Sequence, residues 1–167
     1  LMKAVEVYMN LKKHLSAKGH SVSVGDEGGF APNLGRSEEV LETIIPSIDE
    51  RGLVYLDDIS IARACAASEL AQDSSYHSAG EDKILSNNQM VEYITKLSKK
   101  YEIRSIEDPF DETDWDSWKK FTKLNDSLQI VGDDIFVTQE EILKKGIDEG
   151  CCKLYSYKIK SSWNLIR

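Results

Sequence analysis

Glu107 and Asp133 each stand at the end of a short predicted strand, Ile103 to Ile106 in one case and Leu128 to Val131 in the other. About one strand–helix unit separates them, so neighbouring parallel strands would bring both acids to the same pole. Two converging carboxylates repel each other unless a cation sits between them. All-oxygen ligation by short acidic side chains suits a hard cation, Mg²⁺ above all, with several waters retained. Taken singly, each acid reads as a helix cap or a loop residue. Taken together with their flanking residues, they read as a metal site.

Two further groups extend the pattern. Lys158 lies inside the apolar run Leu154-Tyr155-Ser156-Tyr157-Lys158-Ile159. A lysine beside metal ions loses its proton more readily and can act as a base, whereas one that snorkels outward has no such role. Glu27 stands in Gly25-Asp26-Glu27-Gly28-Gly29. Glycines on both sides allow positive φ and bring the carboxyl close to a ligand, although the same residues also suit a tight surface turn.

The elements that must position these groups alternate along the chain. Helical spacing runs from Met2 to Lys18 and stops at Gly19, and His20 to Val24 then alternates as a strand. A second helix starts at Ser37, with Ser37 as its cap, and runs to Gly52, with Pro46 expected to kink or shorten it. Leu53 to Ala67 suits one strand or two, and polar residues from Gln72 to Lys83 read as a loop. Helices over Ser86–Lys100, Asp114–Lys123 and Thr138–Lys145 alternate with strands at Ile103–Ile106, Leu128–Val131 and Leu154–Ile159. This is the pattern of an α/β fold with a parallel sheet covered by helices, in which functional groups gather at the C-terminal ends of strands. Glu27, Glu107, Asp133 and Lys158 all fall at such ends.

Composition narrows the partners. The chain has 29 acidic against 21 basic residues and a formal net charge of −8. An acidic surface repels nucleic acid and anionic membranes, so neither is expected as a partner. No apolar run approaches the roughly 20 residues that span a bilayer. Cys65, Cys151 and Cys152 are odd in number and two are adjacent, which suits reduced thiols in a cytoplasmic protein better than a disulfide framework or a CxxC site. The N-terminus starts inside a helical pattern and lacks a signal-peptide layout, so a longer parent is expected upstream.

Three segments resemble those of one family. Val24-Gly25-Asp26-Glu27-Gly28-Gly29-Phe30-Ala31-Pro32-Asn33 is similar to the enolase GDEGGFAPN segment. Ser105-Ile106-Glu107-Asp108-Pro109-Phe110-Asp111, with Asp114-Trp115 after it, resembles SIEDPF…DW. Ile130-Val131-Gly132-Asp133-Asp134, followed by Val137-Thr138, resembles VGDD..VT. They occur in the family's order, and the likeness extends over nearly the whole chain.

The resemblance implies a partial TIM-type barrel, about five of the eight βα units of an enolase C-terminal barrel. Residues 1–167 would then form part of that domain, with the N-terminal capping domain and the last barrel strands outside the chain. It implies dehydration of 2-phosphoglycerate to phosphoenolpyruvate by the complete protein, a glycolytic carbon–oxygen lyase working as a homodimer. Glu107 and Asp133 would ligate Mg²⁺, Lys158 would take the C2 proton, and Glu27 would help deliver the proton with which the hydroxyl leaves as water. Cations at the substrate carboxylate are the general solution of enolase-superfamily sites, because a carbon acid beside a carboxylate is very weak.

Two departures qualify this. The family's MDVAASEF strand carries a third metal-binding Asp, and the match Ala66-Ala67-Ser68-Glu69-Leu70 puts Ala64 at that position. A methyl group cannot coordinate a cation, and Asp57 and Asp58 lie about 20 Å upstream if the chain is extended. The metal site is therefore expected to be weakened. In addition, the family's KVNQIG is here Lys158-Ile159-Lys160-Ser161-Ser162-Trp163. An enolase-derived structural or interaction protein with impaired catalysis, a pseudoenzyme, is the alternative.

Overall fold

The computed structural model describes residues 2–50, 52–78, 80, 82–137 and 139–156. Helix α1 (Met2–Ala17) packs on α2 (Ser37–Asp49). Asn10, nearly fully buried, donates its side-chain N–H to the Ser47 carbonyl at 3.2 Å. The His14 ring reaches Ser47 Oγ at 2.9 Å and Glu50 Oε1 at 2.6 Å. Pro46 lies inside α2 without ending it. The N-cap is Arg36 rather than Ser37, and Ser37 Oγ instead accepts a hydrogen bond from Arg63 at 3.0 Å.

The parallel sheet follows. Strands β1 (Ala62–Ala64), β5 (Ser105–Glu107), β6 (Gln129–Gly132) and β7 (Leu154–Tyr155) lie in that order. Register is set by the pairs Ala64↔Glu107, Glu107↔Val131 and Gly132↔Tyr155. Between β1 and β5 come a short 3₁₀ turn (Ala67–Leu70) and an antiparallel sheet of β2 (Ala71–Gln72), β3 (Ser75–Ser78) and β4 (Lys83–Ser86). Helix α3 (Asn87–Lys100) starts on a capping box, in which Gln89 N–H donates to Ser86 Oγ and Ser86 N–H donates to Gln89 Oε1. Helices α4 (Trp115–Leu124) and α5 (Glu140–Glu149) follow β5 and β6.

Among the described residues, one face of the sheet is covered. Ile106 and Ile130 point to the helices and are 0% exposed, packed in one core with Val91, Ile94, Leu97, Trp118 and Phe121. Each such side chain contributes about 1.5–3 kcal/mol by leaving water. Surface ion pairs such as Lys100–Glu38 at 2.9 Å are screened by water and contribute little, so the helix layer holds the sheet. The alternate residues Ala62, Ala64 and Gln129 face the other way and are exposed. The fold is an α/β partial barrel that does not close.

The structure corrects several expectations. The polar stretch from Gln72 to Lys83 is largely antiparallel strand, because tight turns let its few apolar residues pack inward; Tyr76 is buried. His20 to Val24 is not a strand of the parallel sheet and makes a single antiparallel bridge, Val24↔Phe30. Its backbone groups are satisfied locally instead: Gly25 N–H donates to the Gly29 carbonyl at 2.8 Å, and Ala31 N–H to the Ser23 carbonyl at 3.0 Å. From Leu53 to Ala67 only β1 and a Tyr55↔Ile59 bridge form. Thr138 and Lys158 lie outside the described residues.

Two outcomes follow from the packing. A Cβ added at Gly132 would meet the Phe136 ring at 2.5 Å and Ile135 Cγ2 at 2.6 Å. Gly132→Ala should therefore lower stability by about 1–3 kcal/mol, read as a lower thermal midpoint of the full-length protein. Burial pushes the Cys151 and Cys152 thiols up to about 11 from 9.0, and the Cys65 thiol up as well. At pH 8 the thiolate fraction of Cys151 and Cys152 falls about 100-fold, so alkylation of their peptides, followed by mass spectrometry, should be slow until the protein is denatured.

Candidate metal centre at the strand ends

Parallel pairing of β5 and β6 carries Glu107 and Asp133 out of the same edge of the sheet. One carboxylate oxygen from each of Glu107, Asp108 and Asp133 lies within 4.8 Å of the others. Asp133 is 9% exposed and Asp108 5% exposed, while Glu107 is half-buried. Octahedral Mg²⁺ holds ligand oxygens about 3–4 Å apart, so small side-chain rotations would close this group on a cation. The donor set is all oxygen, which fits a hard cation and excludes a soft one.

Ala64 is the register partner of Glu107 on the adjacent strand. A carboxylate at that position would face the same mouth, and a methyl group does so instead. Asp57 and Asp58 belong to the turn before β1, where Asp58 accepts from Lys3 at 2.6 Å and from the Val54 N–H at 2.9 Å.

Glu27 is exposed in the turn that follows Val24 and is not among the clustered carboxylates. Its turn is anchored toward the first two helices, through Phe30 stacked on Tyr8 with ring centroids 4.2 Å apart. Phe30 also lines an apolar cavity of about 260 Å³ with Leu11, Leu15 and Ile44.

Asp108 was not singled out by sequence reasoning, and it lies inside the cluster. Burial is the largest influence on its carboxyl and pushes it up; hydrogen bonds from the Asp133 and Asp134 amides oppose this, and the charges of Asp134 and Glu107 add to it. A usable signal was present in the sequence. Successive strand side chains point to opposite faces, so two consecutive acids at a strand end cannot both face one mouth from regular strand geometry. The second must be held elsewhere.

The loop after β5 is also fixed. Tyr76 Oη donates to Asp114 Oδ2 at 2.8 Å and accepts from the Asp111 N–H at 3.0 Å. Asp114 in turn caps α4 by accepting from the Ser117 N–H, and the Trp118 indole N–H donates to the Asp111 carbonyl at 3.1 Å. Burial, the largest influence, pushes the Tyr76 hydroxyl well above its ordinary value, so it remains a donor throughout the neutral range.

No helix among the described residues is long and apolar enough to cross a membrane. In comparison with known proteins, residues 1–162 match the family described as "Enolase, C-terminal TIM barrel domain". The chain is 47% identical over 151 residues to the enolase of Helicobacter hepaticus (strain ATCC 51449 / 3B1), a match covering 89% of this chain and 36% of that protein. The chain thus spans about a third of the length of that curated relative. With a parallel sheet left open as a partial barrel and a match over almost every residue, the chain belongs to the enolase family, within its C-terminal TIM barrel domain.

Proposed function

We propose that the complete protein dehydrates 2-phosphoglycerate to phosphoenolpyruvate, with Mg²⁺ bound through Glu107 and Asp133 at a site weakened by Ala64. The observation that carries this reading is the convergence of Glu107 and Asp133 carboxylates at the ends of adjacent parallel strands. Residues 1–167 supply part of the barrel domain. The N-terminal capping domain and the remaining strands come from the rest of the polypeptide, which works in the cytoplasm as a homodimer.

When bound, Mg²⁺ supplies positive charge at the substrate carboxylate, which brings the weakly acidic C2–H within reach of a base. Lys158 removes the C2 proton. The electron pair left on carbon forms the new double bond as the C3 hydroxyl departs, and Glu27 helps deliver the proton that makes it water. Glu107 and Asp133 hold the charge that this step requires at a fixed place.

A second reading is favoured by Ala64, the methyl-bearing neighbour of Glu107. In it the protein keeps the fold as a structural or interaction protein and turns over poorly.

Assaying the full-length protein on 2-phosphoglycerate while Mg²⁺ is titrated separates the two. The first reading expects measurable turnover at raised Mg²⁺, and expects Ala64→Asp to raise apparent Mg²⁺ affinity by about tenfold or more. No turnover by either protein would sink it and favour the second reading. Removal of one charge by Glu107→Gln relieves repulsion within the metal-free cluster, so it should stabilise the metal-free protein by about 0.5–1 kcal/mol. The same variant should abolish the rise in thermal midpoint that Mg²⁺ gives the parent.

A further inference from the structure

Asp108 has no part in the chemistry proposed above, yet it joins the residues that do. Its backbone takes φ +44°, in the left-handed region that Asp and Asn tolerate better than other side chains. Its carboxylate accepts the Asp133 N–H at 3.0 Å on Oδ1 and the Asp134 N–H at 3.2 Å from each oxygen. Its own N–H donates to the Val131 carbonyl at 3.1 Å, and its carbonyl accepts from the Ala67 N–H at 3.1 Å. The exits of three neighbouring strands therefore meet at one residue. A buried carboxylate is costly unless hydrogen-bonded, and here the compensating donors are the amides of Asp133 and of the residue after it.

We propose that Asp108 is a positioning residue: by holding the Asp133 and Asp134 amides, it fixes the Asp133 carboxylate at a set distance from Glu107 for a divalent cation. The proposal rests on the cation reading of the cluster. The tie adds to the strand's own pairing and to the Asp133 carbonyl, which accepts from the Phe136 and Val137 N–H groups at 3.2 and 3.1 Å. Glu107 needs no such device, because it is still within β5 and paired on both sides. The tie matters more here than in a site with three acidic ligands, since Ala64 leaves fewer groups to define the cavity. Groups that orient a metal ligand from behind are worth about 10–100-fold in metal affinity.

The test compares Asp108→Asn with Asp108→Ala in the full-length protein. Asn keeps an acceptor oxygen and the tolerance for positive φ; Ala keeps neither. Both lose one negative charge and with it some attraction for a cation, so the difference between them reports the acceptor together with the backbone conformation, and Asp108→Gly, which takes the same φ without an acceptor, separates the two. Two readouts are taken: amide hydrogen exchange at Asp133 and Asp134 in the metal-free protein, and Mn²⁺ affinity by calorimetry. The expected result is exchange protection kept in Asn and lost in Ala, with Mn²⁺ bound about tenfold or more weaker by Ala than by Asn. Equal Mn²⁺ affinities in the two variants, or unchanged protection in Asp108→Ala, would overturn the positioning role. A parent that binds no Mn²⁺ would overturn the cation reading itself, a different failure from that of a binding parent whose Asp108→Ala variant binds as tightly. Should Asp108→Ala fail to fold, Asp108→Gly decides in its place, since it takes the positive φ without strain and has no acceptor: lost protection at Asp133 and Asp134 with weaker Mn²⁺ binding than Asp108→Asn supports the proposal, and kept protection or equal affinity overturns it.

Discussion

Parallel pairing obliges every strand in a sheet to finish on the same edge, and most of what this chain can do depends on that constraint. Three hydrogen-bonded neighbours, β1, β5 and β6, deliver Ala64, Glu107 and Asp133 to one pole without any of the intervening helices having to reach there. The helices do a different task. They cover Ile106 and Ile130 on the outer face and so stabilise the sheet, whose hydrogen-bond ladder sets the spacing of the strands that carry the carboxylates. Chemistry and stability are thereby divided between the two faces of one sheet. The inner face, which a closed barrel would fill, carries Ala62, Ala64 and Gln129 in exposed positions.

How far the sequence could be read depended on whether local pattern or distant pairing decided each element. α3, α4 and the strands around Ile106 and Ile130 follow periodicity and caps, which are local properties, and they stand where the spacing predicts. The pairing of β5 with β6 was legible too, because one strand–helix unit leaves little choice of neighbour. The segment from Gln72 to Lys83 was not, since its strands are short and polar and owe their form to pairing with each other. Strand expectation failed at His20 to Val24 for a related reason. The glycine-rich turn beyond it satisfies backbone groups within a few residues, leaving Val24 with one bridge.

The site was partly legible on the same terms. Glu107 and Asp133 were marked by their places at the ends of predicted strands, and the structure brings them together. Glu27 was marked by its glycines, and those same glycines fold the segment on itself beside α1, outside the cluster. Asp108 was signalled only by its place directly after Glu107; its partners could not be read, because they are backbone amides of residues a full strand–helix unit away. Position 64 shows the reverse case. Register makes its place clear: an alanine stands beside Glu107 at the mouth.

The hydroxyl of Tyr76 has a mechanical meaning. It is donor to Asp114 and acceptor from Asp111 at once, so the hairpin carrying it and the loop beyond β5 have no slack between them. Any excursion of the hairpin pulls on the cap of α4 and, through the Asp111 carbonyl, on the indole of Trp118 in the core. The hairpin and the start of α4 are thus tied through one hydroxyl, and loosening either removes a restraint on the other.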